Sequence, residues 1–268
     1  MAEREAGGEA DETHDLVRLH VAATLGLILA ERRQIAPDLW WARSAALDTG
    51  WNFGFAPGGR ALTLAEADAV AAVACTDGRQ PVVLQAVDAQ PLAGWQVAEA
   101  ETWMWVDASS GVPAGEAPGA ARAQIVGTPT PEMVDVFDDV YVAAAAPGGI
   151  GYAELAPSYS AGYRLGLATP PAEALHVAVS VDGRCAAIAT VCVVERVAGL
   201  YFVGTHRDFR RQGLGAYATV VACNEAFRRG AEGVFLQTIP DSPVEAMYAT
   251  LGFRRRFVAL YLAPAETS

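Results

Sequence analysis

The chain contains no lysine, so all nineteen of its basic residues are arginine, against thirty-one acidic residues. The resulting net charge of −12 argues against nucleic acid as the main partner, because phosphate backbones bind to basic protein faces. An acidic chain instead favours a neutral or cationic ligand. GC-rich coding is the favoured explanation of the missing lysine, and avoidance of self-modification is the alternative.

Cysteine and long apolar runs are also scarce. The four cysteines include no C-x-x-C pair, which excludes a disulfide framework and predicts no metal site. The longest apolar run, Val21–Ala30, is shorter than the roughly 20 residues that cross a bilayer. The acidic, glycine-containing start does not resemble a signal peptide. We therefore expect a cytoplasmic protein with no membrane partner.

The length of 268 residues fits two units of ordinary size, and 52% hydrophobic residues supply enough material for their cores. Composition divides the chain into a disordered acidic tail at 1–13, an α/β domain at 14–108, a linker at 109–127 and a second domain at 128–268. The linker prediction rests on the Gly-, Pro- and Ser-rich stretch SSGVPAGEAPGA.

In the first domain, the pattern predicts a helix over Asp15–Arg33. Thr63 and Glu66 form a capping box that starts a second helix. Strands are predicted at Pro81–Val87 and Thr102–Ala108. All six tryptophans lie in this half, where core packing is the favoured interpretation and an aromatic pocket for a cationic amine is the alternative.

The second domain is predicted to alternate helices and strands in a mixed α/β order. Asp182-Gly183 is a strong hairpin signal, and Pro243 after Ser242 marks a helix start. The other predicted elements are helices at Glu132–Ala145, Tyr152–Gly162 and Leu214–Arg229, a turn at Arg196–Gly199, and strands at Leu200–Thr205, Gly233–Ile239 and Arg256–Ala263.

The stretch THRDFRRQGLGAYAT, Thr205–Thr219, concentrates arginines and glycines where a strand leads into a helix. The first N–H groups of a helix lack intrahelical partners, and the helix dipole adds positive potential there. Glycine lets a diphosphate approach the backbone. Arg207, Arg210 and Arg211 are expected to add charge-assisted contacts to such an anion. The letters also match the dinucleotide fingerprint G-x-G-x-x-A, but too few residues follow for a Rossmann domain.

The spacing Arg210-x-x-Gly213-x-Gly215 resembles motif A of the GNAT N-acetyltransferase superfamily, and Tyr248–Phe253 (YATLGF) resembles its Y-x-x-x-G-F segment. The resemblance covers about 128–263. It implies a GNAT-like fold with a mostly antiparallel central sheet flanked by helices. Since GWQVAEAETWMWVDA looks like the closing strands of a degenerate repeat, we expect a tandem arrangement with one intact acyl-CoA site.

The resemblance implies acetyl-CoA, or another short acyl-CoA, as co-substrate and no metal. The pantetheine arm would pair with Val203 and Thr205 on the preceding strand, and Tyr248 would be the general acid, its alternative role being a core contact of its helix. The diphosphate would be held by Arg210 together with the backbone N–H groups of Arg211, Gln212, Gly213, Leu214, Gly215 and Ala216.

The implied reaction is direct attack of an amine on the thioester. Four ionisable residues are candidates for the general base, although a water chain would also serve: Glu195, His176, His206 and Asp241. We expect an N-acetyltransferase acting on a small-molecule amine, with a homodimer as an open possibility. The alternatives are a non-catalytic acyl-CoA sensor or partner module, and an acetyltransferase of protein lysines or N-termini.

Overall fold

The computed structural model describes residues 16–86, 92–113, 115–142 and 174–265. The tail prediction for 1–13 and the helix prediction for Tyr152–Gly162 lie outside these residues. The elements of the first half are, in chain order, helix α1 (16–24), strands β1 (Leu29–Ala36), β2 (Leu39–Ser44) and β3 (Phe53–Phe55), helix α2 (Leu64–Thr76), and strands β4 (Val83–Gln85) and β5 (Trp95–Asp107).

The second half begins inside the predicted linker, because Arg122–Val126 forms strand β6 and pairs with the next strand. Its other elements are helix α3 (Pro131–Phe137) with a π-helical turn (Asp138–Val142), strands β7 (Ala174–Val181), β8 (Arg184–Val194) and β9 (Val197–Thr205), helix α4 (Leu214–Arg228), strand β10 (Gly233–Thr238), helix α5 (Pro243–Thr250) and strand β11 (Arg254–Pro264).

These strands form one sheet in the order β1-β2-β3-β4-β11-β5-β10-β9-β8-β7-β6. In the described residues β3–β4 and β9–β10 are its parallel pairs, and the other neighbours run antiparallel. The predicted mixed α/β fold with a mostly antiparallel sheet is therefore confirmed.

The two halves exchange their last strands. Strand β5 of the first half lies beside β10, and strand β11 of the second half lies beside β4. The exchanged strands also pair with each other along their whole length, from Arg254 opposite Trp105 to Pro264 opposite Trp95. Each half thus completes the sheet of the other, which brings side chains of the first half into the centre of the second.

The predicted helix over Asp15–Arg33 is wrong beyond residue 24. Gly26, with φ +83°, turns the chain, and Leu29–Ala36 continues as a strand paired with β2. Pairing with β2 overrides the helical pattern of the sequence, and cross-strand pairs between charged side chains, such as Arg43 with Glu31, add to it.

Other local predictions are confirmed or corrected by a few residues. The capping box of Thr63 and Glu66 and the N-cap of Ser242 are both present. The Asp182-Gly183 hairpin is present, with positive φ at both residues, as a two-residue turn of this type requires. The predicted turn at Arg196–Gly199 begins one residue earlier and is shorter, because Glu195 takes the left-handed conformation and the strand already begins at Val197.

The described tryptophans include both core residues and a residue of the cavity wall. Trp41 and Trp103 are fully buried, as the core-packing interpretation predicts. Trp103 stacks on Phe235 of β10 with ring centroids 5.9 Å apart, so it joins the first half to the second. Trp51 instead lines a cavity that is part of the candidate site.

Candidate active site

Strands β9 and β10 separate at the centre of the sheet. They pair in parallel only at their first residues, from Gly233 opposite Val197 to Phe235 opposite Gly199. Beyond that point β9 stays paired with β8 only, and β10 stays paired with β5 only. A wedge-shaped opening results, and one edge of the β9 backbone faces it.

A bulge marks β9 inside this opening. Phe202 has φ +52°, a left-handed value that is uncommon for a bulky residue, and the register with β8 shifts between Ile188 and Thr190. Such bulges redirect side chains and backbone groups and are frequent beside active sites. Phe202 lines the cavity that fills the base of the opening.

The positions predicted to pair with pantetheine face the open edge of β9. His206 donates its N–H to the Ala186 carbonyl of β8, so the backbone groups of Thr205 and Val203 point away from β8 by the alternation of a strand. Tyr141 Oη donates to the Val203 carbonyl at 2.9 Å, and Arg210 Nε donates to the Thr205 carbonyl at 3.3 Å. Both carbonyls are thus directed into the opening.

The loop after β9 ends at the N-terminus of α4, as the motif predicts. Gly213 is the N-cap with φ +77° and has no side chain to cap the helix, and the first helical bond runs from Tyr217 N–H to the Gly213 carbonyl. The N–H groups of Leu214, Gly215 and Ala216 therefore have no partner within the helix. Arg210, Arg211 and Gln212 are exposed around them, which produces a surface suited to an anion.

The competing dinucleotide-fold interpretation does not fit this surrounding. The strand that leads into the glycine loop, β9, is antiparallel to β8 and pairs in parallel with β10 for only a short stretch. A Rossmann unit needs a mostly parallel sheet around its fingerprint loop.

Arg207 is occupied by a partner within the chain, which the sequence did not predict. Its backbone N–H donates to Asp139 Oδ2 at 2.8 Å, and its Nε forms a short contact with Asp139 Oδ1. Burial alone would raise the pKa of Asp139, but these hydrogen bonds and the nearby His206 lower it below its ordinary value. Arg207 thus fixes the π-helical turn against the end of β9 and does not point free toward an anion.

Tyr248 lies at the wall of the cavity, where the sequence placed a general acid. It is 6% exposed and packs against Phe253 with ring centroids 5.7 Å apart. Burial and the neighbouring Tyr141 raise the pKa of its phenol, while a hydrogen bond with Thr219 of α4 opposes the increase. The phenol therefore stays protonated at neutral pH, as a proton donor must.

The cavity has a volume of about 370 Å³ and is lined by both halves of the chain. The second half supplies the bulged part of β9, the end of β10 and Tyr248, and the first half supplies Asp48, Glu99 and Glu101. The aromatic side chains of its lining are Trp51, Tyr141, Tyr201, Phe202, Tyr248 and Tyr261.

Asp48, Glu99 and Glu101, the acidic wall hereafter, have perturbed protonation. Burial, reinforced by neighbouring negative charge, raises the pKa of Glu99 to about 7 and that of Glu101 to about 8. Burial also raises the pKa of Asp48, against the opposing hydrogen bond from the Gly50 N–H. Tyr261 Oη donates to Glu101 Oε2 at 2.8 Å.

The four base candidates taken from the sequence lie elsewhere. Glu195 pairs with Arg18 on the surface, Asp241 pairs with Arg255, and His206 accepts from the Asp208 N–H. His176 is buried on β7 opposite Thr190 of β8, with Nδ1 2.8 Å from Thr190 Oγ1, and burial lowers its pKa to about 4. None of them is among the described residues that line the cavity.

We expect Glu101→Gln to stabilise the protein increasingly as the pH rises from about 5 to about 8. An unfolded glutamate ionises near its ordinary value of about 4.3, whereas the folded protein holds this proton until its raised pKa is passed, so ionisation lowers stability over that window. Gln keeps the shape and the bond from Tyr261 without the charge. A gain of 1 kcal/mol corresponds to about 2–4 °C in Tm.

The measurement is calorimetric Tm for both proteins across this pH range. Burial lowers the pKa values of His20 and His176, so both histidines make stability rise with pH. This contribution is the same in both proteins and cancels in the difference between their Tm values. Glu232→Gln, a surface control, should show no such trend. A difference that does not vary with pH would contradict the raised pKa of Glu101.

Comparison with known proteins agrees with this geometry. Residues 130–253 match the family model of the Acetyltransferase (GNAT) family. No curated protein matches the chain significantly. Within the described residues, no helix has the length and apolar character needed to cross a membrane.

Several solved structures share the fold. A GCN5-related N-acetyltransferase from Kribbella flavida has a TM-score of 0.68 at 19% identity, covering 95% of this chain and 96% of that one. A putative GNAT-family acetyltransferase from Novosphingobium aromaticivorans has a TM-score of 0.53 at 21% identity, covering 86% and 90%. A tandem GNAT protein from the clavulanic acid biosynthesis pathway has a TM-score of 0.53 at 20% identity, covering 86% and 79%. These likenesses confirm the GNAT fold.

Proposed function

Since residues 130–253 match the model of the GNAT acetyltransferase family and the chain has the GNAT fold, we propose that this protein transfers an acetyl group from acetyl-CoA to the amine of a small molecule. One observation carries the proposal. The unpartnered N-terminus of α4, the open edge of β9 and the cavity with Tyr248 are contiguous, so an anion, an extended arm and a reacting group can be bound in sequence.

The residues present fit acetyl-CoA. The first-turn N–H groups from Leu214 to Ala216 suit a diphosphate, and the exposed Arg210 and Arg211 add positive charge. The carbonyls of Val203 and Thr205 each accept one side-chain hydrogen bond and can accept a second from the amides of the pantetheine arm, which would add as a strand does. The thioester would then end at the bulge of β9.

Residues of this chain can supply the proton transfers that acetyl transfer at the bulge of β9 requires. The lone pair of a neutral amine attacks the thioester carbonyl carbon, a C–N bond forms, and the C–S bond breaks. Backbone N–H groups near the bulge would stabilise the oxyanion, and Tyr248 would protonate the leaving thiolate. The amine loses one proton, for which the cavity offers Glu99, whose raised pKa of about 7 suits a proton acceptor near neutral pH.

The cavity supports a small acceptor. Its volume of about 370 Å³ is at the lower end of the roughly 300–1,000 Å³ of small-ligand sites. The first half closes one side of the cavity with the turn at Thr49–Trp51 and with β5, where a protein substrate would need open surface.

Two measurements test the proposal. Saturating acetyl-CoA should raise Tm by about 5–10 °C, since ligand at 100 times its Kd adds about 2.7 kcal/mol. CoA release should be followed chromatographically over a panel of small amines and a lysine peptide, because the exposed thiol of Cys75 would interfere with thiol reagents. Stabilisation without turnover would support a non-catalytic acyl-CoA-binding module, and turnover of the peptide alone would support a protein substrate.

A further inference from the structure

The acidic wall is arranged around a single glycine. Asp48 Oδ1 accepts from the Gly50 N–H at 2.8 Å. A Cβ placed on Gly50 would lie 3.3 Å from that oxygen and 3.6 Å from Glu99 Oε2, so the two carboxylates converge over the glycine backbone. Glu101 follows two residues after Glu99 on β5 and is oriented by Tyr261. Three carboxyl groups thus face one part of the cavity.

No positive group of the described lining compensates them. The chain has no lysine, and no arginine is among the described residues that line the cavity. The three carboxylates also do not form a group able to hold a metal ion, since the described residues contain none. Like charges close together in a partly dry site are costly, so such groups keep their protons unless a bound cation favours their ionised form.

A second, independent feature of the cavity indicates a missing ligand. His20 is 2% exposed, and its Nδ1 lies 3.1 Å from Gln237 Nε2 and 3.2 Å from Tyr201 Oη. Nε2 has no hydrogen-bond partner among the described residues. A buried polar atom without a partner at the wall of a cavity indicates a group whose hydrogen bond a bound molecule would complete.

Aromatic rings adjoin these groups. Trp51 stacks on His20 with centroids 5.6 Å apart and contacts Phe202 at 6.2 Å, which connects the acidic wall to the bulge of β9. Tryptophan is the best aromatic partner for a cation, and carboxylates beside it add direct charge pairing.

We propose that the amine acceptor carries a second positive charge, and that the acidic wall binds this charge beside Trp51 while the first nitrogen attacks the thioester. The inference rests on the proposed acetyl transfer and specifies its acceptor class: a small diamine or another dication. A monoamine of equal length would fill the cavity and leave the carboxylates unpaired.

The experiment compares 1,4-diaminobutane with 1-aminobutane at saturating acetyl-CoA. We expect kcat/KM to be about 10- to 100-fold higher for the diamine, since a hydrogen bond to a charged group is worth about that factor. In Glu99→Gln/Glu101→Gln the ratio of the two values should fall close to one. The matched control Glu232→Gln, a surface glutamate outside the cavity, should keep the wild-type ratio. Equal kcat/KM for both amines in the wild type would overturn the inference and leave acetyl transfer standing.

If no amine is acetylated, a binding measurement still tests whether the acidic wall binds a cation. Calorimetric titration with N,N,N′,N′-tetramethyl-1,4-diaminobutane, which cannot form a stable amide, should show at least about tenfold tighter binding than N,N-dimethyl-1-aminobutane. Tight binding of the diamine with no stabilisation by acetyl-CoA would support the cation site and reject the acetyltransferase function. Equal binding of both tertiary amines would reject the cation site.

Discussion

We expect Gly215→Asp to lower the affinity for acetyl-CoA by at least about 100-fold without lowering Tm. Gly215 is the second residue of α4, and its N–H is one of those without a helical partner. An aspartate carboxylate there stabilises the helix by pairing with the dipole. The same carboxylate competes for the N–H groups and repels the diphosphate, so about 3 kcal/mol of binding free energy is lost.

The matched variant Gly215→Ala separates charge from size. A Cβ at Gly215 would lie 3.0 Å from Thr205 Oγ1, a hydroxyl that needs to move only a few tenths of an ångström. We therefore expect less than about a tenfold loss of affinity for alanine. Titration calorimetry with acetyl-CoA measures both variants, and Tm without ligand reports their stability. Wild-type affinity in Gly215→Asp would show that the diphosphate does not bind at this helix N-terminus.

This loop could be predicted from the sequence because its determinants are local. The N-cap glycine, the adjacent arginines and the following helix lie within a few residues of one another, and the structure places them as expected. Helix starts at Thr63 and Ser242 were predictable for the same reason, since each depends on a side chain that reaches three residues along the chain.

The pairing of β5 with β10 and of β11 with β4 could not be predicted, because its partners are far apart in sequence. The same limit explains the errors at Leu29–Ala36 and Arg122–Val126, whose strands are decided by distant neighbours. Local composition favoured a helix in the first segment and a linker in the second. Tertiary pairing overrode both.

One pattern in the sequence could have predicted part of the acidic wall. Glu99, Glu101 and Trp103 are every second residue of β5 and therefore lie on the same face of the strand. Two carboxyl groups beside a buried tryptophan are unusual for a strand at the centre of a sheet. Period-two analysis of GWQVAEAETWMWVDA would therefore mark these glutamates as candidates. Their meeting with Asp48 and with Tyr248 of the other half depends on the folded sheet.

We expect Tyr248→Phe to lower kcat by about 10²–10⁴-fold, the range for loss of a general acid, with little change in KM. The phenylalanine ring keeps the contact with Phe253, so packing is preserved and only the hydroxyl is lost. Without it, the thiolate must leave unprotonated or take its proton from water. Steady-state kinetics with acetyl-CoA and the best acceptor of the panel measure the effect.

Two further measurements distinguish a proton donor from a core residue. The Kd of acetyl-CoA and the Tm of Tyr248→Phe should stay near wild type, because one hydrogen bond, to Thr219, contributes only about 1 kcal/mol. Thr219→Val removes the other partner of that bond but leaves the phenol in place, so its kcat should fall by less than about tenfold. If both variants lose activity equally, the Tyr248–Thr219 bond positions the active site and the phenol is not the acid. If neither loses activity, Tyr248 is a packing residue and solvent protonates the thiolate.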